Sequence, residues 1–356
     1  MKHEKELQAV FSALVDAIIV VDGDLLIREI NASALHLFAT DEKAASGCPL
    51  LRVTGSTVLE ELAAVTVQEK SPQKKKLFLK EMIPPEDEFG NHKFTSRDLC
   101  FQVHTSYLIT EGSDTRVILV LHDVTQIETL ERIRKDFVAN VSHELKTPVT
   151  SILGFVETLK NGAINNPKDT KEFLDIIQTQ SQRLDAIIRD LLSLSTLESF
   201  ENTDVETVDL LFSEVVSSVL KVCRPKMEKK RIKIRLHYSE GFTLKANALL
   251  LEQAFVNLVD NSVKYCPPGS TITLRGGTFP DYSLIRISDN GPGIPASEIP
   301  RVFERFYTVD KARSRELGGT GLGLAIVKHI ILAHKGQISL NSGIGKGVEF
   351  IIRIPL

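Results

Sequence analysis

From Ile127 to Leu159 the chain reads IETLERIRKDFVANVSHELKTPVTSILGFVETL. Apolar residues recur at Ile127, Leu130, Ile133, Phe137, Val141, Leu145, Val149, Ile152, Val156 and Leu159, nine steps over 32 residues. That is about 3.6 residues per step, the period of an α-helix, so one long amphipathic helix is predicted. His143 is two residues from both Val141 and Leu145, about 200° around the helix from each, and its imidazole should face water. Pro148 has no N–H, so the carbonyl of Glu144 loses its helical partner and a bend is expected just past the histidine.

Working outward, Asn161 to Pro167 (NGAINNP) supplies turn residues. A second helical stripe follows, through Phe173, Ile176, Ile177, Gln180, Leu184, Ile187, Ile188, Leu191 and Leu194, and fades near Ser199. Two antiparallel helices with one apolar face each cannot bury those faces alone, and a dimeric four-helix bundle is the economical solution. The hairpin is assigned to residues 126–202. Upstream, Ala17 to Val21 (AIIVV) and Leu25 to Ile30 (LLIREI) flank the turn Asp22-Gly23-Asp24, a hairpin pattern. Asn31 to Phe38 starts with a capping residue and has helical spacing. Leu99 to Ile109 and Thr115 to His122 read as strands joined by a turn containing Gly112. Ser71 to Asn91, rich in Pro and Lys, is expected to be a flexible loop, with Lys74 to Lys76 a solvated charge run. Residues 1–125 therefore form a small α+β domain.

Downstream, residues 203–356 alternate again. Strands are expected at Ile232 to Tyr238, Thr271 to Gly276, Leu284 to Ser288, Gln337 to Asn341 and Val348 to Ile354. Helices are expected at Leu211 to Lys230, Leu249 to Lys264 and Gly323 to His334. The pattern is an α/β sandwich with glycine-rich connections.

The whole chain has 356 residues, 42% hydrophobic and 25% charged, with 43 basic and 46 acidic side chains and a net charge of −3. That balance lacks the basic footprint of nucleic-acid binding or of attachment to an anionic membrane. Cys48, Cys100, Cys223 and Cys266 have no CxxC or histidine partner at ligand spacing, which argues against a zinc site or a disulfide scaffold. Ala9 to Ile27 is interrupted by Asp16, Asp22 and Asp24, too polar for a membrane span. MKHEKE at the start is no secretory signal. A cytoplasmic chain is expected, either soluble or the cytoplasmic portion of an anchored protein.

Four clusters could carry chemistry, although each has an ordinary reading in isolation. In FVANVSHELKTP, Glu144 can hold one nitrogen of His143 protonated and leave the other free as a nucleophile, while Thr147 shares the histidine's face. Alone, an exposed helical histidine is unremarkable surface. Asn257, Asn261 and Lys264 recur at i, i+4 and i+7, a face suited to phosphate oxygens and hydrated Mg²⁺, or simply to water. Asp289-Asn290-Gly291-Pro292-Gly293 follows a strand; it is a turn, and its carboxylate could accept a hydrogen bond from an exocyclic amine such as adenine N6. Gly318-Gly319-Thr320-Gly321-Leu322-Gly323-Leu324 opens a helix and aims backbone N–H groups at phosphates, without a P-loop or Rossmann pattern. Between the last two clusters, Val302 to Leu317 suits a mobile lid carrying Arg305, Lys311, Arg313 and Arg315.

In this order and spacing, the clusters resemble the H, N, G1, F and G2 boxes of bacterial sensor histidine kinases, over roughly residues 127–356. The histidine segment is similar to that of the PhoR-like and WalK-like group, and Leu7 to Thr125, ending in Asp123-Val124-Thr125, resembles a PAS domain. The resemblance implies a PAS-like sensor, a dimerisation and histidine-phosphotransfer hairpin, and a Bergerat (GHKL) ATP-binding domain. It makes His143 the phosphoacceptor, Glu144 its activating base and Thr147 the residue orienting water for removal of phosphate from the partner. Asn257 would coordinate Mg²⁺; Asn261 and Lys264 would contact phosphates; Tyr265 would pack near the adenine. Asp289 would bind the adenine amine, with Gly291 and Gly293 shaping the pocket. Gly319, Gly321 and Gly323 would line the lid and phosphate site, and Arg305 is a candidate for γ-phosphate charge.

The implied activity is that of a two-component protein-histidine kinase. The chain would autophosphorylate on His143 with ATP, pass the phosphoryl group to an aspartate of a response regulator, and act as that regulator's phosphatase. Implied partners are a second copy of the chain and the receiver domain, with regulator choice on the helix face just beyond His143, including Ser151, Gly154, Phe155 and Thr158, and on the facing second helix. A clamp-type ATPase is the nearest rival, but it has no reason to carry the histidine segment. A ligand sensor is a third reading, weakened because His36, His92, His104 and His122 stand apart, with no haem or flavin set.

Overall fold

The computed structural model describes residues 2–83, 95–109, 115–199, 205–310 and 318–356. Two compact units divide the chain, residues 1–136 and 137–356.

The first unit begins with α1 (Lys2–Ala13), β1 (Ala17–Asp22) and β2 (Ile27–Ile30). Four helices follow: α2 (Ala32–Leu37), α3 (Glu42–Ala45), α4 (Leu50–Thr54) and α5 (Thr57–Glu69). Three long strands complete it, β3 (Gln73–Ile83), β4 (Thr95–Ile109) and β5 (Thr115–Asp123). The sheet order is β2-β1-β5-β4-β3, antiparallel throughout. Val117, Leu119 and Leu121 alternate inward along β5 and share a core with Val103, Leu59, Leu62 and Ala63. The turn read at residues 22–24 is held by Asp22, whose carboxylate accepts the N–H groups of Asp24 and Leu26, each at 3.0 Å, and pairs with Arg28. Burial would raise this carboxyl's pKa, but those hydrogen bonds and the guanidinium prevail and lower it. Asn31 caps α2 through its Oδ1, which accepts Ala34 N–H at 3.0 Å and also Ile18 N–H at 2.9 Å.

The expected loop from Ser71 to Asn91 is corrected: its first half is strand β3, paired residue for residue from Gln73↔Thr105 to Ile83↔Thr95. The lysines misled because they occupy an exposed edge strand, where charge is tolerated and discourages edge-to-edge association, while Leu77 turns into the core. Lys74 and Lys75 are exposed, and Lys76 forms an ion pair with Glu128 on α6 (Thr125–Lys160). Residues 84–91 and the Gly112 turn lie outside the described residues. Where β5 gives way to α6, Asp123 accepts the Thr125 N–H at 2.8 Å and Thr125 Oγ1 accepts the Cys100 N–H at 2.9 Å. The helix start is thus bonded to its own sheet.

In the second unit, α6 continues without interruption through Pro148, and α7 (Pro167–Ser199) follows a 3₁₀ turn at Ala163–Asn165. Phe155 meets Phe173 at 5.2 Å and Glu144 meets Arg183 at 2.8 Å, so the two helices run antiparallel as expected. Then come β6 (Val208–Leu211), α8 (Phe212–Lys229), β7 (Lys233–Tyr238), β8 (Thr243–Ala246) and α9 (Ala248–Tyr265). The chain ends with β9 (Thr271–Thr278), β10 (Tyr282–Asp289), α10 (Gly323–Ala333), β11 (Gln337–Ser342) and β12 (Val348–Pro355). The main sheet is β11-β12-β10-β9-β7, with only β7 and β9 parallel, and β6 pairs with β8 apart from it. Phe212, Phe255, Leu258, Ile326 and Ile330 from the helices pack on Ile272, Leu274, Ile285, Ile287 and Ile352 from the strands in one core. This is the expected two-layer α/β sandwich.

His334, only 7% exposed at the end of α10, ties that helix to α9. Its Nδ1–H donates to Ile330 O at 2.7 Å and its Nε2 accepts the N–H of Asn247, the residue capping α9, at 2.9 Å. The bond at Nε2 requires the neutral ring; the donor bond to Ile330 favours protonation, but burial outweighs it and lowers the imidazole's pKa. The unfolded chain therefore takes up a proton before the folded one, and stability present above about pH 6.5 is lost as pH falls below it. Urea unfolding at pH 7.5 and 5.5 should show the wild-type chain losing more stability on acidification than His334→Gln.

Candidate active site

Helix α9 presents the predicted polar face because its opposite face, with Leu251, Ala254, Phe255, Leu258 and Val259, is buried in the sandwich. The C-terminal end of α9 is fixed by Lys230, whose ammonium donates to the carbonyls of Val263 and Lys264 at 2.8 Å and of Cys266 at 3.2 Å. A cavity of about 720 Å³ opens beside this face, within the usual size of a small-molecule site. Asn257, Asn261, Lys264, Tyr265, Asp289, Gly293, Gly319, Gly321 and Gly323 all line it. Sequence positions more than 60 residues apart thus meet around one space.

The floor is built around Asp289 at the end of β10. Its Oδ2 accepts the Ser262 hydroxyl at 2.7 Å and its Oδ1 accepts the Gly291 N–H at 2.9 Å. Gly291 does not itself line the cavity; a Cβ there would sit 2.7 Å from Cys266 Sγ and 2.9 Å from Asp289 Oδ1. The carboxylate is therefore oriented from two sides, with lone pairs left to accept from a ligand. Burial beside Asp289 pushes the Cys266 thiol up to about 12, so it stays protonated. Asn257 makes one long contact, Nδ2–H to Gly323 O at 3.5 Å, and the Asn261 side chain has no hydrogen-bond partner among the described residues. Lys264 and Lys226 both pair with Asp260, at 2.9 and 2.5 Å. Burial opposes ionisation of that carboxylate, but the two ammonium groups outweigh it and lower its pKa.

The far wall comes from α7, a contribution the sequence reading did not foresee. Thr179, Arg183, Ala186 and Asp190, at i, i+4, i+7 and i+11, face the cavity. Asp190 accepts the Thr320 hydroxyl at 2.7 Å, and Thr320 Oγ1 in turn accepts the Leu322 N–H at 3.2 Å, which anchors the glycine run to α7. Burial raises the Asp190 pKa despite that hydroxyl.

His143 is on the surface of α6, its side chain 70% exposed, and does not line the cavity. Its Nδ1 lies 3.8 Å from Glu144 Oε1, and the Thr147 hydroxyl donates to the His143 carbonyl at 3.1 Å. Arg305 does not line the cavity either. Its guanidinium pairs with Glu198 at 2.5 Å and lies 5.3 Å from the Phe137 ring centroid. Lys311, Arg313 and Arg315 lie outside the described residues.

Known proteins match this arrangement segment by segment. Residues 5–124 match the PAS fold, 133–200 the His Kinase A phospho-acceptor domain, and 246–356 the histidine kinase-, DNA gyrase B- and HSP90-like ATPases. A Sensor protein kinase WalK from Staphylococcus aureus is 33% identical over 357 residues, covering 99% of this chain and 81% of that protein. The chain belongs to the sensor histidine kinase family. Other members include the Sensor protein kinase WalK of S. aureus strain Newman, 33% identical, and that of Staphylococcus saprophyticus, 32% identical, each matched over 99% of this chain and 55% of its own length. The chain thus spans about half the length of these curated sensor kinases. The histidine kinase ThkA, solved in complex with the response regulator protein TrrA, shares the fold with a TM-score of 0.51 at 22% identity, over 98% of this chain and 97% of that one. No helix among the described residues is long and apolar enough to cross a membrane.

Proposed function

We propose that the chain is the signalling and catalytic portion of a two-component kinase, which phosphorylates His143 from ATP and passes the phosphoryl group to an aspartate on a receiver domain. The observation that carries this reading is the pairing, in one compact unit, of an exposed histidine flanked by a carboxylate with a cavity of carboxamides, an oriented carboxylate and a glycine run. With Nδ1 toward Glu144, Nε2 is left to attack the γ-phosphorus. The Nε2–P bond forms as the bond from phosphorus to the β,γ-bridging oxygen breaks, and ADP leaves. Phosphoryl transfer of this kind needs positioning and charge neutralisation more than covalent help.

Asn257 and Asn261 supply hard oxygen donors, and no cluster of three or more acidic, histidine or cysteine side chains that could hold a metal occurs among the described residues. That donor set fits Mg²⁺ shared with phosphate oxygens, with Asn257 as its protein ligand. When bound, the ion would neutralise phosphate charge. Asp289 would accept from the adenine amine, Tyr265 would pack near the base, and Asn261, Lys264 and the segment through Gly319, Gly321 and Gly323 would surround the phosphates.

Leu153, Val156, Ile188 and Leu192 are exposed on the hairpin. They are the faces a second copy would cover to form the four-helix bundle. ThkA's complex with TrrA supports a receiver domain as the other partner. Thr147 would orient water in the reverse, phosphatase direction, and the chemistry would run in the cytoplasm. The reading is tested by incubating the chain with γ-labelled ATP and then with a panel of receiver domains. Label should enter the chain and pass to one or a few receivers.

A further inference from the structure

Arg183 is on the cavity wall, yet its side chain is only 11% exposed and one guanidinium nitrogen, Nη2, donates to Glu144 Oε2 at 2.8 Å. Its Nε is buried and has no hydrogen-bond partner. The other oxygen of the same carboxylate, Glu144 Oε1, is 3.8 Å from His143 Nδ1. One carboxylate thus sits between a guanidinium from the nucleotide cavity and the phosphoaccepting imidazole. Among the described residues, the two lysines lining the cavity, Lys226 and Lys264, are both paired with Asp260. Arg305 is paired outside it.

We propose that Arg183 is a positioning residue that couples triphosphate binding to the histidine, holding Glu144 until it exchanges that carboxylate for a terminal phosphate oxygen. A buried N–H without an acceptor is unfavourable, and the planar fork of arginine matches a phosphate better than it matches one carboxylate oxygen. The phosphate carries more negative charge than Glu144, so the exchange is downhill once the triphosphate is in place. Release leaves Glu144 free to take the His143 Nδ1–H and fix Nε2 for attack. No bond is made or broken in the exchange; a guanidinium changes partner through a side-chain rotation. ADP, lacking the terminal phosphate, would leave Arg183 on Glu144.

This inference rests on the cavity being the ATP site, and its test separates the two. The full chain and its Arg183→Gln and Arg183→Lys variants are titrated with ADP and with the non-hydrolysable β,γ-imido triphosphate, both with Mg²⁺. Arg183→Gln should bind the triphosphate roughly five- to tenfold more weakly and ADP within about twofold of wild type, with Arg183→Lys intermediate. Because the residue acts through Glu144, Arg183→Gln should lower the kcat of autophosphorylation about tenfold in the wild-type background and less than about twofold in a Glu144→Gln background. Equal weakening of both nucleotides, no weakening of either, or the same kcat loss in both backgrounds would overturn the proposal while leaving the nucleotide site intact. Absence of ADP binding by the wild-type chain would overturn both.

Discussion

Asp289→Asn should weaken ATP binding roughly ten- to hundredfold, the loss of about 1.5–3 kcal/mol expected for a hydrogen bond to a charged acceptor. The carboxylate is held by two donors, Ser262 Oγ at 2.7 Å and Gly291 N–H at 2.9 Å. Both of its oxygens act as acceptors. An amide of the same shape loses the Gly291 bond if its NH₂ replaces Oδ1, and if it replaces Oδ2 it makes the Ser262 hydroxyl accept instead; in either case an acceptor for the proposed adenine amine becomes a donor. Calorimetric titration with ADP reads the effect without turnover. Wild-type affinity in Asp289→Asn would remove this carboxylate from the base-recognition role.

Gly293→Ala should abolish nucleotide binding and lower the stability of the second unit. Gly293 has φ of +75°, and a Cβ there would lie 1.9 Å from Gly343 O. The left-handed conformation alone costs an alanine about 1–2 kcal/mol, and the overlap with backbone has no flexible side chain to absorb it. The loop after β10 must then part from the turn between β11 and β12, and Asp289, four residues earlier, moves with it. Gly318→Ala is the control, since that residue also lines the cavity with φ of +68° but a Cβ would meet nothing within 4 Å among the described residues. It should show only the conformational penalty. Denaturant unfolding alongside ADP titration checks the pair, and equal effects from the two substitutions would contradict the argument.

What could be read in advance followed from periodicity and local chemistry. The long helix was legible because nine apolar steps repeat at one period, and the turn at residues 22–24 because Asp22 is a residue whose carboxylate accepts the backbone N–H groups of a following turn. The α9 face was legible because Asn257, Asn261 and Lys264 are helical neighbours. Charge density misled at Gln73–Ile83, where lysines on an edge strand look like loop until the pairing with β4 is known. Helix α5 went unassigned because Val58, Val65, Thr66 and Val67 give it a strand-like composition, although Ser56 caps it through the Leu59 N–H. The contribution of α7 to the site was hidden for a different reason. Thr179, Arg183 and Asp190 look in sequence like a solvated helix face, and only a contact across 130 residues, Asp190 to Thr320, turns that face into a cavity wall. Arg305 shows the converse: nearness in sequence to the glycine run suggested phosphate, whereas in the structure it is paired with Glu198.

In the proposed function His143 takes the γ-phosphoryl group of ATP. The most direct measurement is to incubate the wild-type chain and His143→Gln with γ-labelled ATP and Mg²⁺, then determine the chemical stability and position of any label. One acid-labile, base-stable label is expected on the wild-type chain, mapped to the peptide containing His143, and none on His143→Gln, which still binds ADP normally. ATP hydrolysis without label, or an equal label on His143→Gln, would contradict it.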